Sequence, residues 1–327
     1  MNRRPALALI ALTVPLLMPQ AAHAAVAEPC LQHPLPTIAG LQWQHPDAAA
    51  PAGRFLVGRG FRAGVGDTLV RWHDGVPAEV GITDPDGLTV DDVSDDGQIV
   101  FNRLSPSISF RYRDGSAEQL PVASGWAIAQ AGKIDNAHGV IIGRVLDAGQ
   151  STQRAVKWTA TNQVQLLAAP AGFTESIASD IADDGTIVGS VINPAANPED
   201  PSDIRAAYWR PDGTVVVLPK ASTATSTNAT SISNGVIYGL QDSQPVSWPL
   251  GSTEPPAPTP APPIDTNANG TALYPDRVVQ PAKGERLLET KDDTMPGSNH
   301  ALGLTTDDQV LGWIDDANLT PTRWDCS

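Results

Sequence analysis

Residues able to do chemistry are plentiful in this chain, but their spacing suits no familiar reaction. Outside the first 24 residues the histidines are His33, His45, His73, His138 and His300, and no two stand at the separation of zinc ligands. His73 and His138 fall in turn segments, where exposure is the default. Adjacent carboxylates at Asp91-Asp92, Asp95-Asp96, Asp183-Asp184 and Asp307-Asp308 invite a calcium reading. A calcium loop, however, alternates its oxygen ligands around one ion, whereas paired Asp before Gly is ordinary turn chemistry. Asp84-Pro85-Asp86-Gly87 is no better a calcium candidate.

There is no Gly-x-Ser-x-Gly, and the two cysteines, Cys30 and Cys326, stand near opposite ends of the chain. No nucleophile is therefore assigned, nor any catalytic, cofactor-binding or metal-binding residue. Paired carboxylates for a glycosidase or lyase could assemble only from segments far apart in sequence.

The elements that would position such groups follow from an internal repeat. Its clearest copy runs Asp180-Ile181-Ala182-Asp183-Asp184-Gly185-Thr186-Ile187-Val188-Gly189, then Arg205-Ala206-Ala207-Tyr208-Trp209-Arg210-Pro211-Asp212-Gly213, then Val215 to Pro219. An aromatic anchor recurs at Trp72, Tyr112, Trp158, Trp209, Trp248 and Trp324, with steps of 40, 46, 51, 39 and 76 residues. The last step holds a degenerate unit: Ile264 to Gly270 matches the first turn, and Arg277 to Leu288 matches the remainder with the aromatic lost.

Seven units of about 43 residues result. Short runs of Val, Ile and aromatics between Asp-Gly turns are strand and hairpin signals, and each unit has room for four strands. The fold class expected is all-β, a seven-bladed β-propeller with four-stranded blades. The six anchors are expected in the core, because they recur at one blade position.

The ends argue for closure. The last unit stops at Trp324-Asp325-Cys326-Ser327, before its final strand, and Cys30-Leu31-Gln32-His33-Pro34-Leu35-Pro36 supplies the missing piece. A strand borrowed from the N-terminus would complete the C-terminal blade and remove an open sheet edge. A linear solenoid, the alternative, needs caps rather than matching ends. A Cys30–Cys326 disulfide would staple the seam and requires Cα atoms within about 7 Å; two unpaired thiols are the competing reading. In the chain-entropy model so long a loop gives roughly 5 kcal/mol at most.

The unit resembles the HAF repeat family of bacterial extracellular proteins, whose repeats read roughly Ala-x-x-Ile-Asn-x-x-Gly-x-Val-Val-Gly followed by an Ala-Phe-x-Trp strand. This chain departs from the family in using Asp-Asp-Gly more than Asn-x-x-Gly, and Ala-x-Lys-Trp or Ala-Tyr-Trp where the family has Phe. The resemblance implies export and repeat architecture and carries no defined activity.

Residues 1–24 read as a signal peptide. Arg3 and Arg4 precede an apolar stretch from Ala6 to Met18, and Ala22-His23-Ala24 forms the cleavage site. The stretch is shorter than the roughly 20 residues of a membrane span and contains Pro15. Lipid attachment at Cys30 is disfavoured by the preceding Ala27-Glu28-Pro29. A single domain over 25–327 is expected, secreted or periplasmic and monomeric, without membrane insertion. The Pro-rich stretch at 254–263 reads as an exposed insertion replacing or preceding an outer strand.

The chain has 21 basic and 36 acidic residues; without Arg3 and Arg4 the count is 19 against 36, a net charge of −17. Such a surface repels phosphate backbones, so no nucleic-acid partner is expected.

In such blades the two tight acidic turns of each unit share one face of the disc, and the variable connections share the other. Those connections are 102–109, 145–153, 191–204, 222–230 and 314–322. Function usually resides on variable loops held by a rigid frame. Four aromatics fall near that face, Trp43, Trp126, Phe173 and Trp313, and are the candidate ligand contacts; packing between blades is the alternative for each. The reading is a binding module for an extracellular polysaccharide or protein. A hydrolase or lyase on extracellular polymer and a structural envelope component are the alternatives.

Overall fold

The structure is a computed structural model describing residues 28–194, 203–289, 299–316 and 319–326. The segment read as a signal peptide lies outside the described residues. Seven four-stranded antiparallel sheets follow one another along the chain, the blades of a propeller. Blades 1 to 6 occupy 43–84, 88–119, 128–166, 175–217, 227–258 and 265–287. Blade 7 takes three strands from 299–325 and its fourth from Leu31–Pro34.

Within blade 7, Leu31 pairs with Asp325 and Pro34 with Thr322, so the front of the chain finishes the last sheet. The Cys30–Cys326 disulfide locks this joint, with Cα atoms 4.4 Å apart and both cysteines fully buried. The bond points to an oxidising, extracytoplasmic environment. Among the described residues no helix is long and apolar enough to cross a membrane.

The recurring residues have separate physical reasons. Trp72, Trp158, Trp209, Trp248 and Trp324 are at most 1% exposed. Each donates its indole N–H to a backbone carbonyl at the end of the preceding unit: Pro36, Pro121, Ala168, Pro219 and Glu289, at 2.7–2.9 Å. The end of the preceding unit, Leu-Pro in three cases, is thus the docking point of the next tryptophan, and each of these buried indole N–H groups is satisfied. Blade 2 has Tyr112 instead, and beside it Arg111 is wholly buried, donating to the carbonyls of Thr159 and Ala160 in the following unit. Burial pushes the Arg111 guanidinium down to about 10.

A glycine in the second strand answers a bulge in the first. At Gly58, Gly143, Gly189, Gly239 and Gly312 a Cβ would lie 1.9–2.1 Å from a carbonyl oxygen of the inner strand. The inner strands slip register at this level, between Pro46 and Ala48, Ala131 and Lys133, Ala178 and Asp180, Ala229 and Ser231, and Ala301 and Gly303. Blade 2 bulges between Val90 and Asp92 opposite Phe101. Each bulge re-aims the side chains at the lip of the central channel.

Three expectations are adjusted. Asp91 and Asp92 lie on the inner strand Leu88–Val93, not in a turn. Ala257–Pro258, inside the Pro-rich stretch, is itself the outer strand of blade 5, pairing with Val246 and Ser247. The variable connections are partly shorter than the sequence suggests: only Ser105 and Pro106 separate two strands of blade 2.

Candidate functional site

The inner strands place two kinds of residue around the channel. One layer, just past the bulge, consists of Ala48, Asp92, Lys133, Asp180, Ser231 and Gly303. Asp265 of blade 6 belongs with them, because it repeats their bonding. The Asp92 carboxylate accepts the N–H of Ile134, Asp180 that of Ile232 and Asp265 that of Leu304, at 2.8–2.9 Å, in each case on the next blade. Three carboxylates therefore tie neighbouring inner strands together.

Lys133 reaches 3.7 Å from Asp92 and keeps 45% of its side-chain surface accessible, against 14% for Asp92. Asp92, with Asp180, Asp265 and Asp91, holds the Lys133 ammonium above its usual range. Burial raises Asp92 and Asp265 and brings Asp180 up to about 6. Among the described residues no group of His, Cys, Asp and Glu is arranged to hold a metal.

The second kind is aromatic and lies at the loop-face ends of strands in blades 7 and 1. Trp43 stacks on Phe61 with ring centroids 6.0 Å apart and on His45 at 5.4 Å. His45 meets Trp313 at 5.3 Å, and Trp313 stacks on His300 at 3.8 Å with 6° between planes. Five rings form one ladder across the interface of blades 7 and 1, and all are half-buried. Of the four candidate aromatics, Trp43 and Trp313 are brought together here. Trp126 packs against the buried cluster that includes Leu120 and Trp158, and Phe173 against the one that includes Leu167 and Trp209, both between blades. His45 and His300, solitary in sequence, complete the ladder.

A cleft lies in blades 2, 3 and 4. His45 Nδ1 lies 3.5 Å from Asp47, which is close enough to Asp91 to act on its charge. Asp91 lines a cleft of about 440 Å³ with Asn102, Arg103, Gln130, Arg144 and Ser179, from blades 2, 3 and 4. Asn102 Nδ2 donates to Asp91 at 2.6 Å. Burial raises the Asp91 carboxyl to about 6. On the turn face a polar cleft of about 430 Å³ lies beside Arg71, Asp96 and Arg113, near Phe55, which stacks on His73 at 4.5 Å.

No family model matches the chain, and no curated protein matches it. Among solved structures it is similar to virginiamycin B lyase from Staphylococcus aureus, with a TM-score of 0.56 and 10% identity over 91% of this chain and 99% of that one. It is also similar to YCF48 bound to D1 peptide, with a TM-score of 0.52 and 13% identity over 92% and 96%. The β-propeller domain of the Trilobed protease from Pyrococcus furiosus gives a TM-score of 0.51 and 14% identity over 87% and 96%. At these identities the likeness is one of fold. The neighbours include a lyase, a protease domain and a peptide-bound protein, so the fold does not choose among activities.

Proposed function

We propose that this chain is an exported, secreted or periplasmic, binding module whose loop face engages an extracellular polymer, a polysaccharide before a protein. The observation that carries this is the ladder of Trp43, His45 and Trp313, half-buried at the loop-face ends of strands in blades 7 and 1. Flat rings fixed by stacking present a rigid apolar platform, which loses little conformational entropy on binding. Sugar rings stack on such a surface through their C–H faces while polar neighbours take the hydroxyls. Asp47 and the cleft beside Asp91 supply polar groups on the inner strands of blades 1 and 2.

The test is a titration against a panel of bacterial and plant oligosaccharides, with native protein and Trp313→Ala side by side. Binding to at least one neutral or acidic glycan, weakened ten-fold or more in the variant, supports the reading. An empty glycan panel overturns it.

A hydrolase or lyase draws support from the carboxylates around Lys133. Those carboxylates are already engaged with backbone N–H groups of the neighbouring blades, which favours a structural duty. Release of reducing or unsaturated ends from any bound polymer would reverse that preference.

A further inference from the structure

Arg144 on the loop face carries a charge with no carboxylate from the described residues beside it. In so acidic a chain several guanidinium groups do pair with carboxylates: Arg59 with Asp47, Arg62 with Glu79, Arg103 with Asp84 and Arg113 with Glu118. Arg144 does not, among the described residues. Its Nε donates to Gln130 Oε1 at 2.8 Å and its Nη1 to Gln153 Oε1 at 3.0 Å. Two neutral amides from flanking strands of blade 3 therefore hold the fork in place and leave its charge unspent. The guanidinium lines the 440 Å³ cleft, whose size suits one sugar residue. Across the cleft Arg103 is oriented by Asp84 at 3.0 Å and lies over the Phe110 ring at 5.3 Å.

We propose that the cleft between blades 2, 3 and 4 is a subsite for a carboxylate-bearing sugar residue, a uronate, with Arg144 pairing the carboxylate through its fork. The inference rests on the loop face being a glycan-binding surface and names the class of residue that it selects. A planar guanidinium held at Nε and Nη1 keeps Nη2 and the second Nη1 hydrogen for the end-on approach of a carboxylate, a geometry that a lysine lacks. Ser107 and Ser179 provide neutral donors and acceptors for sugar hydroxyls. Asp91 sets a limit: its charge opposes a second anion in the cleft. Together with the chain's overall negative charge, this favours polymers in which acidic residues are sparse and the rest of the chain lies on the aromatic ladder.

The test uses oligosaccharides bearing a single glucuronate or galacturonate, each paired with its carboxyl-reduced counterpart, titrated at fixed ionic strength. Native protein should bind an acidic member at least ten-fold more tightly than its reduced form. Arg144→Gln should lose that preference while keeping affinity for the reduced form, and Arg144→Lys should retain only part of it. Asp91→Asn should tighten acidic binding several-fold. Unchanged thermal unfolding in these variants shows that the cleft is intact. Equal binding of both members by native protein, with ladder-dependent affinity preserved, overturns the uronate subsite and leaves the glycan-binding reading standing. Absence of binding to every oligosaccharide overturns both.

Discussion

The indole nitrogen of Trp72 lies 2.9 Å from the carbonyl oxygen of Pro36, so the anchor of the first blade is docked on the segment that leaves the last one. The same bond links Trp158 to Pro121 and Trp248 to Pro219 within the array. The joint between the chain's ends is therefore built like every other joint, with the buried disulfide added. Trp72→Phe keeps an aromatic ring but leaves that carbonyl without its donor. The loss, with the removed volume, should cost about 2–3 kcal/mol. Urea unfolding checks the magnitude, and amide exchange of Leu31–Pro34 should quicken before that of blades 3 and 4.

Gly189 and Gly213 separate two reasons for glycine. A Cβ on Gly189 would lie 2.0 Å from the Ile177 carbonyl, a backbone atom that can retreat only by undoing the bulge. Gly213 has φ +88° and open space around it. Gly189→Ala should therefore cost about 3 kcal/mol or more, or prevent folding, whereas Gly213→Ala should cost about 1 kcal/mol through its backbone conformation alone. Comparable denaturation midpoints for the two variants would contradict the close-packed bulge.

The channel carboxylates give stability a definite pH dependence. Burial raises Asp180 to about 6 from its ordinary value of 3.8. Between those values the folded chain holds a proton that the unfolded chain has released, so this group's contribution declines as pH rises from about 4 to about 6 and is level above that. Asp180→Asn keeps one acceptor for the Ile232 N–H and cannot titrate. Its unfolding free energy should lose about 1 kcal/mol of the native decline between pH 4 and pH 7, a figure reduced for partial solvent access. An identical slope in both proteins would show that Asp180 is charged throughout.

The array was legible in the sequence because its determinants are local and recur: a tryptophan in the third strand, an Asp-Gly turn and a glycine closing the second strand. Closure was legible because Leu35-Pro36 has the same composition as Leu120-Pro121 and Leu218-Pro219. The site was legible only in part. Trp126 and Phe173 are aromatic like Trp43 and Trp313, and spacing along the chain does not reveal which rings a neighbouring blade covers. His45 and His300 are 255 positions apart, so their common contact with Trp313 depends on ring closure. Asp91-Asp92 looked like the turn pairs at 95–96 and 183–184; the absence of a following glycine was the signal that they belong to a strand. Arg144 gave no signal at all, because its unspent charge is a matter of which partners it lacks.

The most direct measurement is oxidative footprinting of tryptophan in the presence and absence of a bound oligosaccharide. The account predicts that ligand protects Trp43 and Trp313 together, with the histidines stacked on them, while Trp126 changes little and the turn-face residues Arg71 and Tyr112 are unaffected. Protection confined to the turn face, or none at the ladder at saturating ligand, would contradict it.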